Sequence, residues 1–153
     1  MKPNIIVLGS NGQLGSEFVK KETKSRIFAK WIFLDRKHID LNKLNIKDFN
    51  KIIDKYKPAI VINCAAYTNV EKAEKEPEKA FRINGESIGE IIKILSIKSI
   101  PFIHFSTDYV FGDSSNKSLK PSDVKKPISI YGKSKLQGEQ LILENINKIF
   151  KKF

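Results

Sequence analysis

Three glycines that follow an apolar run constrain this chain more than any other feature. Residues 5–8 are apolar and lead directly into Gly9, Gly12 and Gly15, after which apolar residues recur at helical spacing. The first glycine permits a sharp turn off a strand, the second leaves room for a phosphate, and the third lets the helix pack closely. The helix N-terminus then offers free N–H groups to an anion. The pattern predicts an α/β fold that begins with a dinucleotide-binding loop, although the same glycines could form a purely structural turn.

The composition is that of an ordinary globular domain. Its 153 residues are 41% hydrophobic and 29% charged, which suffices for a substantial core. The sequence contains no apolar run of membrane-spanning length and no signal-peptide core near its start. Cys64 is the single cysteine, which excludes an internal disulfide and fits a reducing compartment. We therefore expect one domain over residues 1–153, a cytoplasmic location and no membrane partner.

The net charge of +11 comes almost entirely from lysine, since arginine occurs only at positions 26, 36 and 82. The lysines are scattered and form no stripe interleaved with aromatic residues, as nucleic-acid-binding modules would have. Interfaces that read bases also favour arginine forks, which are scarce here. We expect no nucleic-acid partner. Solvated helix faces account for the lysines, and a basic exterior would attract an anionic nucleotide.

A carboxylate follows the second apolar run at a position typical of dinucleotide folds. The apolar residues 31–34 are followed directly by Asp35, about 20 residues after the glycine loop. Dinucleotide-binding folds place at this position the acid that binds the adenosine ribose hydroxyls. Arg36 comes next and could instead accept a 2′-phosphate, so both NAD and NADP stay open. Asp35 would also suit a plain strand-end turn. Residues 38–41 are predicted to form a short third strand.

The remaining pattern alternates helices and strands, which predicts a Rossmann-type doubly wound parallel sheet. The predicted strands cover residues 59–66 and 100–105, and the predicted helices cover residues 48–56, 76–95 and the segment from Ile130 onward. Residues 112–130 contain two prolines and are predicted to form a long irregular loop over a site.

Three polar or reactive residues in these elements are interpreted as structural. Asn84 lies among the apolar positions of the long helix, and a buried asparagine needs partners, so we expect it to brace a neighbouring loop. His104 in mid-strand and Cys64 at a strand end are interpreted as core residues. With two histidines and one cysteine in the chain, no metal site is expected.

The candidate chemistry lies at the start of the last helix. Tyr131 and Lys135 are four residues apart, so they share one helix face. A cation beside a phenol favours the phenolate and suits the phenol to proton transfer near neutral pH. Ser106 and Thr107 follow a predicted strand, at the end where parallel sheets bind ligands. A hydroxyl there could hold a substrate carbonyl oxygen while Tyr131 protonates it.

Four stretches carry a resemblance to a known family. They are residues 9–15 (GSNGQLG), 63–74 (NCAAYTNVEKAE), 105–111 (FSTDYVF) and 131–139 (YGKSKLQGE). With them the chain resembles the extended short-chain dehydrogenase/reductases and, among these, the dTDP-4-dehydrorhamnose reductases. The resemblance covers nearly all of the chain.

The resemblance implies reduction of dTDP-4-dehydro-L-rhamnose to dTDP-L-rhamnose, with NADPH or NADH as the cofactor and a nucleotide-sugar as the substrate. It implies that Tyr131 donates a proton, Thr107 polarises the C4 ketone, and Lys135 binds the nicotinamide ribose and tunes Tyr131. The implied substrate-binding residues are Ser106, Thr107, Asp108 and Tyr109. The cofactor-binding residues, with Arg36 added, are Gly9, Asn11, Gly12, Gln13, Leu14, Gly15, Asp35, Arg36, Asp40, Leu41, Ala65, Ala66, Tyr67, Tyr131 and Lys135.

The sequence departs from the family pattern in two ways. Cys64 stands where the family usually has alanine, and the family continues past the last helix with another strand and a C-terminal part that holds the nucleotide-sugar. We therefore expect a fold truncated before the last strands and the substrate domain, with residues 102–105 at an unpaired sheet edge. Three hypotheses follow: a reductase that works with a second copy or a complementing C-terminal chain, a non-catalytic nucleotide-binding or regulatory module, and an inactive fragment.

Overall fold

The computed structural model describes residues 2–22, 28–112 and 118–150, with side chains described up to residue 146. It contains a four-stranded parallel sheet in the order β2-β1-β3-β4. The strands are β1 (Asn4–Leu8), β2 (Lys30–Leu34), β3 (Ile60–Asn63) and β4 (Phe102–His104). The helices are α1 (Gln13–Glu22), α2 (Ile46–Tyr56), α3 (Val70–Lys75), α4 (Pro77–Phe81), α5 (Ser87–Ile97) and α6 (Ile130–Phe150), with a π-helical turn (Arg82–Glu86) between α4 and α5. The predicted α/β parallel sheet is confirmed.

The first strand occupies the centre of the sheet. In the register of the sheet, Leu8 at its carboxyl end pairs with Leu34 of β2 on one side and with Asn63 of β3 on the other. The side chains of Ile6, Val7 and Leu8 are almost fully buried. The strand order changes direction between β1 and β3, and ligands of doubly wound sheets bind at the carboxyl ends of the strands at such a point. The glycine loop begins there.

The chain forms two compact units, each made of two segments. The first unit comprises Met1–Ala66 and Glu90–Phe105 and contains the entire sheet, and the second comprises Tyr67–Gly89 and Ser106–Phe153. The core of the first unit is aliphatic apart from one phenylalanine and consists of Ile6, Val7, Leu8, Ile32, Leu34, Leu41, Phe49, Ile53, Val61, Ile62, Ile91, Ile92 and Leu95. The single domain expected over residues 1–153 stays a prediction.

In the second unit, α6 packs against α3, α4 and the π-helical turn, and against a short 3₁₀ turn at Asp108–Phe111. The apolar side chains buried in this unit include Ala73, Ala80, Ile83 and Val110. Ala73 of α3 and Ala80 of α4 are fully buried, and small buried side chains permit close packing of helices. This packing sets the position of the residues at the start of α6.

Side-chain caps mark where several helices begin. Asn45 accepts hydrogen bonds from the N–H groups of Lys47 and Asp48 at the start of α2, and Asn69 accepts one from Lys72 at the start of α3. Such caps satisfy N–H groups that have no partner within the helix. Helix α2 ends at Tyr56, and the following residue, Lys57, adopts a left-handed conformation with φ 42°. The caps account for the short helix α3, which the apolar periodicity did not predict.

The third strand predicted at residues 38–41 is wrong. The N–H groups of His38 and Ile39 bond to the carbonyl of Asp35, and the side chain of Asp40 caps a 3₁₀ turn at Leu41–Lys43. Aspartate side chains that bond to nearby backbone favour turns over strands, which explains the difference.

The long helix predicted over residues 76–95 is interrupted. It comprises α4, the π-helical turn and α5, and the turn includes Asn84. A π-helical turn in a longer helix often marks a functional site. Of the loop predicted at residues 112–130, residues 118–129 lack regular structure, and residues 113–117 lie outside the described residues.

The edge of the sheet carries exposed apolar side chains. Among the described residues, β4 pairs only with β3. Ile103 and Phe105 at this edge are 42% and 39% exposed. In the described part of the chain, β4 is thus an edge strand of the sheet, as expected for residues 102–105. None of the described helices combines the length and the apolar character that a bilayer crossing requires.

Candidate functional site

The glycine loop leaves β1 through a conformation that favours glycine. Gly9 has φ 76°, and a Cβ atom there would lie 2.6 Å from the backbone nitrogen of Ala65. At Gly15, in the first turn of α1, a Cβ atom would lie 2.1 Å from the carbonyl oxygen of Gly9. Gly12 is exposed, and its added Cβ would meet only one atom, at 3.3 Å. The loop therefore packs tightly at its two ends and presents an open backbone in the middle, as a phosphate cradle must.

The carboxylate after β2 is held beside this loop. Asn11 donates a hydrogen bond of 2.9 Å to Asp35 Oδ2, and Asp35 Oδ1 accepts hydrogen bonds from the backbone of Lys37 and His38. The Nδ1 atom of His38 lies 2.6 Å from the same oxygen. The hydrogen bond to His38, with the backbone bonds, holds the pKa of Asp35 below its ordinary value. Asp35 is thus ionised and fixed next to the loop, where it can receive ribose hydroxyls.

The neighbouring residues predicted for the adenosine side lie in the same turn region. Arg36 Nε is 3.2 Å from Asp40 Oδ2, and Leu41 is buried. Gln13 and Leu14 begin α1 and are exposed. The cation is engaged by Asp40 but remains at the surface, so the geometry is compatible with NAD and with NADP.

A buried asparagine missed by the sequence analysis shapes the end of β3. Asn63 is 1% exposed, and its side chain accepts from the N–H of Ala65 at 3.1 Å and donates to the carbonyl of Ala65 at 3.3 Å. Its amide nitrogen also lies 3.0 Å from His104 Nδ1. These bonds end the strand and hold Ala65 against Gly9. Two signals could have drawn attention to it: its place at the end of an apolar strand and its place at the start of the stretch 63–74 that carries the family resemblance.

Two residues of the β3–α3 connection, Cys64 and Ala66, lie at intermediate burial rather than in the core expected for Cys64. Cys64 is half-buried, and burial raises the pKa of its thiol to about 11, so it is not a thiolate nucleophile. Ala66, at the end of the first unit, is half-buried as well. Among the described residues, no group of three His, Cys, Asp or Glu side chains is arranged to hold a metal ion.

In the second unit, three contacts anchor the start of α6. The N–H of Ile130 donates to Glu74 Oε1 of α3 at 2.7 Å, and the N–H of Gly132 donates to the hydroxyl of Ser129 at 3.0 Å. A carboxylate and a hydroxyl at a helix N-terminus satisfy its free donors and complement its dipole. The ring of Tyr131 meets the ring of Tyr109 edge to face, with centroids 5.5 Å apart. The first turn of α6, which carries Tyr131, is thereby fixed.

Asn84 braces a loop, as expected. Its side chain accepts from the N–H of Tyr67 at 2.8 Å and donates to the carbonyl of Tyr67 at 2.9 Å. It also donates to the hydroxyl of Ser134 at 3.0 Å, and that hydroxyl donates to the carbonyl of Tyr131 at 2.7 Å. The Tyr67 hydroxyl in turn donates to Glu76 Oε2 at 3.0 Å. One buried amide thus links the Tyr67 loop to the first turn of α6.

Lys135 is buried although it is a lysine. It is 2% exposed, and burial lowers its pKa from 10.5 to about 8, while the charge of Glu139 acts in the opposite direction. It lies one helical turn after Tyr131 in α6. Lysine is almost never buried without a reason, and such a perturbed group is a candidate for function.

Replacement of Lys135 by methionine is expected to stabilise the fold near neutral pH. A pKa lowered from 10.5 to about 8 means that folding disfavours the charged form of Lys135. Below pH 8 this lowers the free energy of unfolding by about 3 kcal/mol. Because methionine also loses the polar contacts of the ammonium, we expect a net gain of about 2 kcal/mol. The cost of burying the charge is relieved as pH rises from 8 to 10.5, so the gain should disappear by pH 10.5.

The measurement is urea unfolding of the parent and the Lys135→Met variant at pH 7 and at pH 10. The matched control is Lys133→Met, because Lys133 is exposed on the same helix. Equal differences between parent and Lys135→Met at the two pH values would contradict this account of the buried lysine.

The hydroxyl groups of Ser106 and Thr107, which follow β4, make hydrogen bonds to different partners. Thr107 caps the turn Asp108–Phe111 by accepting from the N–H of Tyr109 at 3.3 Å, and it donates to Asp108 Oδ1 at 3.1 Å. Ser106 donates to Glu139 of α6. The structure thus brings Ser106, Tyr109, Tyr131 and Lys135 onto or beside α6, and Glu139 was not given a role by sequence reasoning. The predicted substrate and catalytic roles of these residues stay predictions.

The comparison with protein families matches the model described as RmlD substrate binding domain to residues 1–150. The chain belongs to the RmlD family. It is 33% identical over 147 residues to dTDP-4-dehydrorhamnose reductase of Salmonella typhimurium, covering 95% of this chain and 48% of that protein. A crystal structure of dTDP-4-dehydrorhamnose reductase from Bacillus anthracis in complex with NADP matches with a TM-score of 0.85 and 33% identity, over 94% of this chain and 50% of that one.

The chain is also similar to a protein that is not named as a reductase. The chain is 30% identical over 144 residues to methionine adenosyltransferase 2 subunit beta of Pongo abelii, covering 92% of this chain and 43% of that protein. The chain spans about half the length of the curated relatives it matches, or slightly less. The family match covers residues 1–150, whereas the relatives named as reductases are about twice as long as this chain.

Proposed function

We propose that this chain binds NADPH or NADH and takes part in the reduction of dTDP-4-dehydro-L-rhamnose to dTDP-L-rhamnose. The observation that carries the proposal is Lys135, a buried cation one helical turn after Tyr131 on an anchored helix. A structural helix would not need a lysine there, since burying an ammonium costs free energy. A reductase does need it, because a cation favours the phenolate that remains after proton donation.

The first unit fits a dinucleotide by its own geometry. The close packing at Gly9 and Gly15 leaves the middle of the loop open, and the start of α1 offers N–H groups for the pyrophosphate. Asp35, ionised and fixed by Asn11, would accept the ribose hydroxyls, while Arg36 would accommodate a 2′-phosphate. When bound, the reduced nicotinamide supplies the hydride that adds to C4 of the sugar.

The second unit supplies the groups for the proton. In the proposed reaction Thr107 polarises the C4 ketone, and Tyr131 gives its hydroxyl proton to the ketone oxygen as the carbon is reduced, leaving an alcohol. Lys135 then stabilises the phenolate of Tyr131 until solvent returns the proton. Asp108 and Tyr109 line the sugar pocket, and Ala65, Ala66 and Tyr67 border the nicotinamide. We include in the proposal a second copy of the chain, or a complementing C-terminal chain, that helps to hold the nucleotide-sugar.

The test is a titration of the purified chain with NADPH and with NADH, followed by addition of dTDP-4-dehydro-L-rhamnose. We expect nicotinamide fluorescence to report binding, and absorbance at the nicotinamide band to fall after the keto sugar is added. A dTDP-sugar without a 4-keto group is the matched control, because it offers the same nucleotide without a reducible carbonyl. Absence of cofactor binding would contradict the proposal.

A second outcome would favour another function. The chain is also similar to methionine adenosyltransferase 2 subunit beta, a protein named as a subunit of a different enzyme. Cofactor binding without oxidation, both for the chain alone and with a supplied C-terminal half of a related reductase, would favour a non-catalytic nucleotide-binding module or an inactive fragment.

A further inference from the structure

Glu139 of α6 accepts hydrogen bonds from residues in two other segments of the second unit. Its side chain is 16% exposed. The hydroxyl of Ser106, which follows β4, donates to Oε1, and the ammonium of Lys125, in the irregular segment before α6, donates to Oε2. Both oxygens of one largely buried carboxylate are therefore occupied. Charge-assisted hydrogen bonds of this kind are about twice as strong as neutral ones.

Glu139 also faces Lys135. The two residues are four apart on α6, so their side chains lie on the same helix face. Glu139 is the charged group that acts on the pKa of Lys135 against the effect of burial. Several charged groups on the elements that pack against α6 make other contacts: Glu74 accepts from Ile130, Glu76 from Lys79 and Tyr67, and Asp108 from Thr107, while Arg82 pairs with Glu86.

We propose that Glu139 is a positioning residue, whose carboxylate joins the segment after β4 at Ser106, the irregular loop at Lys125 and the helix face that carries Lys135. This inference rests on the proposed function only in the catalytic role that it assumes for Lys135. It gives Ser106 a different task from substrate binding. A hydroxyl has one proton, and that of Ser106 is directed to Glu139, so only its lone pairs remain for a ligand.

Glu139 holds these groups in a way that a neutral amide could not. A carboxylate accepts from both partners and balances two ammonium groups, Lys125 and Lys135, in a largely buried place. A glutamine at this position would keep the shape, lose the charge and turn one oxygen into a donor. The glutamine variant therefore separates charge from packing.

The first experiment follows the titration of Lys135 by NMR after reductive ¹³C-methylation of the lysines, with Lys135 assigned through Lys135→Arg. In Glu139→Gln we expect the midpoint of Lys135 to fall by about one unit, because an opposite charge within contact range shifts a titration by about one to three units. Glu144→Gln is the matched control, since Glu144 is an exposed glutamate of the same helix, and it should leave the midpoint unchanged. A midpoint unchanged in Glu139→Gln overturns the proposal.

A second variant decides the matter if Glu139→Gln does not fold. Lys125→Met removes the competing cation and leaves the carboxylate to Lys135, so the midpoint of Lys135 should rise, opposite in sign to the effect of Glu139→Gln. A midpoint that falls or stays constant overturns the proposal. Neither measurement requires cofactor or substrate, so their failure can be distinguished from failure of the proposed reduction. Where turnover is measurable, Glu139→Gln should also shift the pH profile of kcat more than it changes KM.

Discussion

Replacement of Tyr131 by phenylalanine is expected to lower the rate of NADPH oxidation in the presence of dTDP-4-dehydro-L-rhamnose by about 10²–10⁴-fold. The variant keeps the ring that packs edge to face on Tyr109 and loses only the hydroxyl that would give up the proton. We expect cofactor affinity and the free energy of unfolding to change little, because the ring dominates the packing. The measurement is kcat under saturating cofactor, with the nicotinamide absorbance as the signal.

The control for this prediction is Tyr56→Phe, which removes a phenol from the end of α2 in the first unit. It should leave turnover unchanged. If Tyr131→Phe were as active as the parent, Tyr131 would not be the acid. If the parent bound cofactor but showed no turnover with the supplied C-terminal half of a related reductase, this result would instead favour a non-catalytic nucleotide-binding module.

Replacement of Gly15 by alanine is expected to destabilise the fold by about 3 kcal/mol, at the upper end for overpacking of a tight site. The added Cβ would lie 2.1 Å from the carbonyl oxygen of Gly9 and 2.8 Å from its carbonyl carbon. Both atoms belong to backbone at the turn out of β1, so they cannot give way as a flexible side chain would. Urea unfolding measures the loss, and NADPH binding should fall with it because the same backbone forms the loop.

Gly12→Ala provides the matched control within the same loop. Its Cβ would meet only the Gly9 carbonyl oxygen, at 3.3 Å, on an exposed face. We expect the free energy of unfolding to change by less than about 1 kcal/mol, whereas NADPH affinity should fall about tenfold if the pyrophosphate approaches this backbone. Equal loss of stability in the two variants would show that the loop is a structural turn rather than a phosphate cradle.

The elements whose apolar residues follow a regular period could be predicted from the sequence. The strands around Ile6, Ile32 and Val61, the amphipathic helix α2 and the long helix α6 all occur as expected, because burial of one face or of a whole strand imposes a period on the sequence. The glycine loop could be predicted because the spacing of Gly9, Gly12 and Gly15 is set by steric constraints on the backbone within one short segment. The parallel α/β sheet could be predicted from the alternation of helices and strands.

Elements governed by side-chain bonds to the backbone were harder to predict. The failed strand at residues 38–41 is a turn because Asp35 and Asp40 bond to nearby N–H groups, and the unpredicted helix α3 begins at the cap Asn69. The π-helical turn that includes Asn84 lies within a segment that the apolar spacing predicted as one continuous helix. Such choices depend on a few hydrogen bonds rather than on a pattern, and single bonds contribute only about 1 kcal/mol each.

The fold class, the glycine loop and the helical spacing of Tyr131 and Lys135 could be read from the sequence, since each depends on residues close together in the chain. The burial of Lys135, the hydrogen bonds of Asn84 to Tyr67 and Ser134, and those of Glu139 to Ser106 and Lys125 could not be predicted without the packed chain. These partners are separated by 14 to 50 positions along the chain. Their contacts arise when α6 packs on the other elements of its unit, and the burial that perturbs the pKa of a lysine exists only in the packed molecule.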